Sequence, residues 1–280
     1  MPPTVSDEIA RGIGALRGAG IESPERDARW LMAACLGIPR ERLTLHLRDA
    51  VSTEAQACFS DLLRKRQDRK PVSRILGIRE FWGRTFKVTE ATLDPRPETE
   101  ILVELALSRP FSRVLDLGTG TGCILVTLLA ERRQATGVGT DISAEAVLVA
   151  GENAERHGVA DRLILPLSDW YSDIGGRFDL IVSNPPYIAA NEMDLLQPEV
   201  RDHDPRIALT DDADGLTAYR RILAGARDHL ATGGRLLVEI GPDQADAVTP
   251  LFKAAGLENI HVHHDLDNRD RVVSGTAPDL

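Results

Sequence analysis

The sequence predicts an α/β protein in which a mostly parallel sheet, with helices on both faces, follows a small helical region. Two observations support this fold class. From about residue 112 onward, short apolar segments alternate with stretches of helical spacing, as in sheets built by helical crossovers. The first seventy residues show helical spacing alone, interrupted by cap and turn residues. We therefore expect two regions of different class.

The N-terminal region, residues 1–75, is predicted to be a helical bundle. Apolar residues recur on one face of each segment, and Gly and Pro residues stand where each segment ends. The predicted helix starts are Ser6, Ser23 followed by Pro24, and Thr53, which has capping-box spacing to Gln56.

Residues 76–95 are predicted to be a β-hairpin linker, because aromatic and β-branched residues surround Gly83 in REFWGRTFKVTEATL. Residues 96–280 are expected to form the sheet domain. Its candidate strands are SRVLDL, TGVGTD, RLILP, FDLIVSN, GRLLVEI, NIHVHH and RVVSG. Only a short loop separates the last two, so we expect them to pair antiparallel at one edge of the sheet.

Composition and charge exclude several classes of protein. The chain has 280 residues, 42% of them hydrophobic, and no apolar run long enough to cross a bilayer. Without a signal-peptide pattern at the N-terminus, we expect a soluble, cytoplasmic protein. Residues 1–75 carry 13 Lys and Arg against 10 Asp and Glu, whereas the rest carries 20 against 33. An acidic main domain argues against non-specific binding to DNA or RNA.

Cysteine and histidine positions predict neither a disulfide framework nor a metal site. Cys35, Cys58 and Cys123 are odd in number and scattered, so we expect separate core thiols. Histidines cluster in residues 261–264, but no carboxylate stands at ligand spacing, so metal binding is not expected.

A glycine-rich loop, DLGTGTG, follows the first strand of the sheet domain. Its glycines, Gly118, Gly120 and Gly122, have the spacing GxGxG, whereas a dinucleotide fingerprint would require glycine at Cys123. Glycine lets a ligand lie directly against the backbone. With Asp116 leading the loop from the strand end, the pattern favours an adenosine ligand that lacks pyrophosphate.

Three further residues are candidates for contacts with a nucleoside. Asp141 ends the second strand and is placed to accept hydrogen bonds from both ribose hydroxyls. Asp169 and Trp170 follow the third strand, where an aspartate can accept from an adenine amine and a tryptophan can cover a ring. A buried core tryptophan is an equally good interpretation of Trp170.

The tetrapeptide NPPY ends the fourth strand, at the edge where open α/β sheets bind their ligands. Pro186 holds Pro185 extended, and Pro185 has no N–H, so the segment is rigid and its carbonyl oxygens are free to accept. We expect the Asn184 side-chain oxygen and the Pro185 backbone oxygen to accept both hydrogens of one planar NH2 group, with Tyr187 against its π face.

Such an NH2 nitrogen is a weak nucleophile, because its lone pair is delocalised. When it attacks the methyl group of a sulfonium, positive charge develops on the nitrogen, and two fixed acceptors stabilise that charge. The predicted chemistry is therefore methyl transfer, with Asn184, Pro185 and Tyr187 as the catalytic residues. The acceptor of the departing proton is left open.

With these motifs identified, the chain resembles the release factor glutamine methyltransferases, which methylate the glutamine side chain in the GGQ motif of class 1 peptide-chain release factors. The resemblance runs from about residue 70 to 276, through GIREFWG, DPRPETE, VLDLGTGTG, SDWY, VSNPPYI, EVRDHDPRIAL and RDRVVSG. It implies a seven-stranded, Rossmann-like class I methyltransferase sheet. It also implies S-adenosylmethionine as the cofactor, with S-adenosylhomocysteine as the product.

The resemblance also assigns residues. It implies cofactor contacts by Gly118, Thr119, Gly120, Thr121, Gly122, Asp141, Trp170 and Asn184. It implies contacts with the glutamine amide by Asn184, Pro185, Pro186 and Tyr187. PRPETE, which includes Arg96, Glu98 and Thr99, matches a segment on the cofactor side without separate roles. Asp204 stands where the family usually has glutamate, which puts the local loop packing in question.

The resemblance implies that the helical domain helps to hold a release factor, and the basic run RKRQDRK is either part of that surface or a solvated helix face. We expect a monomer. Two other substrates stay open, the adenine amine of DNA and a glutamine in another protein. DNA fits poorly, because the domain is acidic and lacks a large insertion for reading bases. Two other functions, an NAD-dependent oxidoreductase and a non-catalytic nucleoside-binding module, are disfavoured because neither would require NPPY.

Overall fold

The computed structural model describes residues 2–278. Its helices are α1 Val5–Gly18, α2 Pro24–Cys35, α3 Thr53–Gln67, α4 Val72–Leu76, α5 Glu100–Leu107, α6 Cys123–Glu131, α7 Ala144–Arg156, α8 Pro198–Arg201, α9 Arg206–Leu209, α10 Thr217–His229 and α11 Ala245–Ala254. Its strands are β1 Ile78–Phe81, β2 Arg84–Lys87, β3 Arg113–Leu117, β4 Thr136–Thr140, β5 Leu163–Ile164, β6 Phe178–Ser183, β7 Leu230–Glu239, β8 Glu258–His264 and β9 Asp270–Thr276.

The chain divides into two compact units. The first contains Met1–Ile78 and Gln197–His203, and the second contains Arg79–Leu196 and Asp204–Leu280. The hairpin β1–β2 lies almost wholly in the second unit, and the first unit includes a short segment from far along the chain. The domain boundaries at residues 75 and 95 were expected from the change of residue pattern along the chain and stay predictions.

The first unit is a bundle of α1 to α4 around one apolar core, which includes Leu16, Leu31 and Phe59. The predicted helices form, but two of them begin earlier than predicted. Thr4, not Ser6, caps α1, in a capping box with Asp7. Ser52, not Thr53, caps α3 by accepting from the Ala55 N–H. Serine or threonine stands at each predicted and each actual cap position, so the residue type alone places the start of the helix only to within one or two residues.

The basic run of residues 64–70 is largely neutralised within the first unit. Arg66 is buried and donates to Asp27 over 2.8 Å and to Glu199 over 3.1 Å. Arg69 also contacts Glu199, and it donates to the Ala19 carbonyl oxygen. Part of this run therefore stabilises the bundle, which neither sequence interpretation anticipated.

The expectation of separate core thiols is wrong for two of the three cysteines. Cys35 and Cys58 form a disulfide with a Cα–Cα distance of 5.8 Å. They are 23 residues apart, but α2 and α3 pack together, which brings the end of one helix beside the other. Cys123 is a free buried thiol, as expected, and burial raises its pKa to about 12.

The hairpin and the seven-stranded sheet confirm the predicted fold class. Trp82 and Gly83 both have positive φ, which gives β1 and β2 a two-residue turn of the twist that hairpins require. The strand order in the sheet is β5-β4-β3-β6-β7-β9-β8. β9 pairs antiparallel with both β7 and β8, so the predicted antiparallel pair at the edge is confirmed.

Helices cover both faces of the sheet, over two apolar cores. One core lies under α5 and α6 and includes Leu125 and Leu180; the other lies under α10 and α11 and includes Tyr219 and Phe252. β3 pairs in parallel with β4 and with β6, so the carboxyl ends of these three strands lie side by side. Among residues 2–278, no helix is both long and apolar enough to cross a membrane.

Candidate active site

A cavity of about 600 Å³ lies at the carboxyl ends of β3, β4 and β6, within the second unit. This volume lies within the range of roughly 300–1,000 Å³ that small-molecule sites occupy. The lining includes segments from residues 91–96, 118–124, 141–146, 168–170 and 206–221, together with Thr99, Asn184 and Pro186. The glycine loop, the Asp141 segment, the SDWY segment and NPPY are therefore brought to one cavity.

The glycine loop is held open toward the cavity by its backbone conformation. Gly118, Gly120 and Gly122 have φ values of 72°, 55° and 76°, which favour glycine. A Cβ atom at Gly118 or Gly120 would meet no heavy atom within 4 Å, whereas one at Gly122 would approach Ala150. The first two glycines thus face open space and the third allows close packing. The loop fits a ligand laid against the main chain.

Asp141 both fixes the glycine loop and lines the cavity. Its Oδ2 accepts from the Gly120 N–H and its Oδ1 accepts from the Ser143 N–H, each over 2.9 Å. A carboxylate has about four acceptor positions, so it retains capacity to accept from a ligand hydroxyl. Burial raises the pKa of Asp141, and these N–H groups oppose that shift. Acceptance of two ribose hydroxyls stays a prediction that this geometry permits.

Asp116 lies beneath the loop rather than in the cavity lining. It is fully buried, and its Oδ2 accepts from the Thr119 hydroxyl over 2.7 Å. Its Oδ1 has no hydrogen-bond partner in the described part of the chain, and burial raises its pKa to about 7. The structure therefore gives Asp116 a place as support for the loop, and direct contact with a cofactor stays a prediction.

Asp169 and Trp170 both line the cavity, on the segment after β5. Both oxygens of Asp169 accept from Arg221 of α10, over 2.9 Å and 2.7 Å. Trp170 is half-buried against the core and has a φ of 57°, a conformation that is costly for a bulky residue. Sequence reasoning missed Arg221, because it is 52 residues away and belongs to no motif.

Asn184 is oriented by a hydrogen bond from its own side chain. Its Nδ2 donates to the Thr99 hydroxyl oxygen over 3.2 Å. Because the amide is planar, this bond turns Oδ1 the other way and leaves it as an acceptor. Thr99 belongs to PRPETE, to which sequence comparison gave no separate roles. The structure thus gives Thr99 one role, the orientation of Asn184.

The rest of NPPY follows β6 without regular secondary structure. Pro186 lines the cavity, whereas Pro185 is buried and Tyr187 packs against the core under α10. The Tyr187 carbonyl oxygen accepts from Gln244 Nε2 over 2.8 Å. Gly215 approaches so closely that a Cβ atom there would lie 2.4 Å from that same oxygen. The segment is therefore fixed from outside the cavity.

PRPETE supplies a second fixed contact to the site. Arg96 donates to Asp204 Oδ2 over 2.6 Å, and the Asp204 side chain is buried. The aspartate found where the family usually has glutamate therefore still forms an ion pair. No group of His, Cys, Asp and Glu side chains suited to a metal ion occurs among residues 2–278, and this includes the histidines of β8.

Comparison with known proteins identifies the family of the chain. The family model described as PrmC N-terminal domain matches residues 9–77, and the Methyltransferase small domain matches residues 90–199. The chain is 55% identical to a release factor glutamine methyltransferase of Cereibacter sphaeroides, over 98% of each chain. It is 43% identical to one of Caulobacter vibrioides, over 95% of this chain and 93% of the relative.

Solved structures support the fold independently. A methyltransferase from Pyrococcus furiosus superposes with a TM-score of 0.56 at 16% identity, over 71% of this chain and 91% of that one. At such low identity the likeness shows the fold alone. The near full-length relatives show more: the chain belongs to the release factor glutamine methyltransferases, enzymes that take the transferred methyl group from S-adenosylmethionine.

Proposed function

We propose that this protein methylates the side-chain amide nitrogen of the glutamine in the GGQ motif of class 1 peptide-chain release factors. The observation that carries the proposal is the orientation of Asn184 at the cavity. Its NH2 group is engaged by Thr99, so its Oδ1 is left to accept from a substrate NH2. The Pro185 backbone oxygen is the second acceptor in this proposal.

Two acceptors suit the chemistry of an amide nucleophile. S-adenosylmethionine supplies a methyl group bound to a positively charged sulfur. As the glutamine nitrogen bonds to the methyl carbon, the bond from carbon to sulfur breaks and its electron pair stays on sulfur, giving S-adenosylhomocysteine. Positive charge develops on the nitrogen and is shared by its two hydrogens. Asn184 Oδ1 and Pro185 O would each accept one of them, so the charge meets oxygens that are already in position. One hydrogen then leaves as a proton.

The glycine loop and Asp141 form the proposed cofactor half of the cavity. Gly118 and Gly120 leave the main chain uncovered, and Asp141 keeps acceptor positions for ribose hydroxyls. Trp170 and Asp169 also line the cavity, and in this proposal they contact the adenine ring. Both halves open into the same cavity, which orients the two reactants for in-line transfer.

The test is methyl transfer from labelled S-adenosylmethionine to a purified class 1 release factor. Two comparison substrates are assayed beside it: the same factor with the GGQ glutamine replaced by alanine, and adenine-containing duplex DNA. The proposal predicts label on the intact factor alone. Label on DNA, or equal label on the alanine variant of the factor, would contradict it.

A further inference from the structure

Glu239 is a buried acid at the end of β7 that sequence reasoning did not single out. β6 and β7 pair Ser183 with Val238, so Glu239 lies beside the start of NPPY. On its other side, Glu239 pairs with Val272 of β9. It is 1% exposed, and its Oε2 has no hydrogen-bond partner among the described residues. A buried carboxyl group of this kind needs a physical account.

Thr99 connects this carboxyl group to Asn184. Its side chain hydrogen-bonds Glu239, and its hydroxyl oxygen accepts from Asn184 Nδ2 over 3.2 Å. A threonine hydroxyl has one hydrogen to donate. When Glu239 is ionised it can only accept, so that hydrogen points to Glu239 and the oxygen lone pairs point to Asn184. The Asn184 NH2 group must then face Thr99.

We infer that Glu239 is a positioning residue for methyl transfer, whose carboxylate acts through the Thr99 hydroxyl to keep the Asn184 oxygen facing the substrate amide. This inference rests on the proposed function, because it assigns Asn184 Oδ1 to the substrate. Glu239 itself touches neither reactant. It determines which end of the Asn184 amide is presented.

The surroundings of Glu239 bring its pKa close to neutral pH. Burial raises its pKa to about 7, while the hydrogen bond from Thr99 and the charge of Arg271 lower it. Other titratable or charged groups face it from the neighbouring segments: Arg96, Glu98, Cys123, Tyr187 and Tyr219. Above this pKa Glu239 is an acceptor only, and below it Glu239 becomes a donor.

Protonation would reverse the chain of hydrogen bonds. A protonated Glu239 donates to Thr99, whose own hydrogen is then free to point to Asn184. The Asn184 amide would present its oxygen to that hydrogen and its NH2 group to the substrate. Two NH2 groups would then face each other. We therefore expect the rate of methyl transfer to fall as pH decreases through about 7.

The first test measures single-turnover methyl transfer to a release factor, at saturating S-adenosylmethionine, from pH 5.5 to 9. The variants are Glu239→Gln, Thr99→Val and Thr99→Ser. Wild type should lose rate on the acid side with an apparent pKa near 7, and Glu239→Gln should lack that decline. Thr99→Val should be about tenfold slower at high pH and also lack the decline. Thr99→Ser, which keeps the hydroxyl, should follow wild type.

An acid decline that is unchanged in Glu239→Gln would overturn the inference, and so would a Thr99→Ser variant that behaves like Thr99→Val. Folding of each variant is checked by thermal unfolding, because a purely structural role would change stability without changing the pH profile.

A second readout needs no protein substrate. The Asn184 side-chain NH2 signals are followed by ¹⁵N NMR across the same pH range. We expect a shift with a midpoint near 7 in wild type and none in Glu239→Gln. Identical titrations in the two proteins would refute the role of Glu239. If release factors are not methylated at all, the proposed function fails, and this NMR titration still decides the inference.

Discussion

The two halves of the cavity are built in opposite ways. The cofactor half, the glycine loop with Asp141, is formed mainly by main chain. Its glycines have positive φ and leave the backbone uncovered, and the Gly120 N–H donates to Asp141. The acceptor half, which is NPPY, consists of two prolines and the oriented side chain of Asn184. Asn184 donates to Thr99, and Thr99 hydrogen-bonds the buried Glu239. The comparison suggests that one half provides shape for binding and the other provides fixed oxygens for the transition state.

A shared device supports both halves. In each, a buried carboxyl group at a strand end bonds a threonine hydroxyl, Asp116 with Thr119 and Glu239 with Thr99. Each carboxyl group has one oxygen without a partner among the described residues, and each has its pKa raised by burial to about 7. A threonine hydroxyl both donates and accepts, so it can connect a buried carboxyl group to a segment that lines the cavity.

The largest predicted effect comes from Asn184→Ala. This change removes one of the two oxygens that meet the developing charge, so the single-turnover rate constant should fall by about 10²–10³-fold. The affinity for S-adenosylmethionine, measured by calorimetry on the same protein, should change far less. Asn191→Ala, at an exposed position in the following segment, is the control and should keep the wild-type rate.

Asp141→Asn is predicted to affect the other half. It removes a charged acceptor for the Gly120 N–H and for ribose hydroxyls, so the dissociation constant of S-adenosylmethionine should rise by roughly 10–100-fold. The rate at saturation should stay close to wild type. Asp179→Asn is a matched control, because Asp179 also accepts two backbone N–H groups but lies outside the cavity lining. An Asp141→Asn protein that binds S-adenosylmethionine as tightly as wild type but transfers methyl slowly would contradict the assignment of Asp141 to cofactor binding.

Gln244→Ala should have a moderate effect on rate. Gln244 fixes the Tyr187 carbonyl oxygen from behind the cavity, so its loss lets NPPY shift and should slow transfer by about tenfold. Gln56→Ala removes a similar bond, to the Val51 carbonyl oxygen in the helical unit, and should leave the rate unchanged. Rates are compared at saturating cofactor; equal rates for the two variants would show that Gln244 does not position NPPY.

The last prediction concerns stability and not the rate: Asp116→Asn should change the pH dependence of stability. Because the pKa of Asp116 is raised in the folded state, its contribution is fully present below about pH 4 and is lost as pH rises through about 7. The variant should therefore lose less stability than wild type between pH 5 and pH 8, by about 2 to 3 kcal/mol. Urea unfolding at both pH values measures this difference, with Asp173→Asn at an exposed position as the control.

The features that the sequence predicted depend on local pattern and on topology. The glycine loop, Asp141 and NPPY each follow an apolar strand, and parallel strands bring their carboxyl ends together. For this reason the alternation of strands and helices was enough to place them in one cavity. The strands and the edge pair were predicted correctly for the same reason.

The features that the sequence did not predict join residues far apart in the chain. The bond between Thr99 and Asn184 spans 85 positions, and the contact of Arg221 with Asp169 spans 52. The disulfide of Cys35 with Cys58 depends on how two helices pack. No periodicity or motif reports such contacts, because they arise only from tertiary packing.

The most direct test of the account is a crystal structure of the protein with S-adenosylhomocysteine and a peptide that contains GGQ. The measurement is the pair of distances from the glutamine amide nitrogen to Asn184 Oδ1 and to Pro185 O. We expect both distances to be about 3 Å, with the Asn184 NH2 group still donating to Thr99. A glutamine nitrogen bound to neither oxygen, or an Asn184 amide turned the other way, would contradict it.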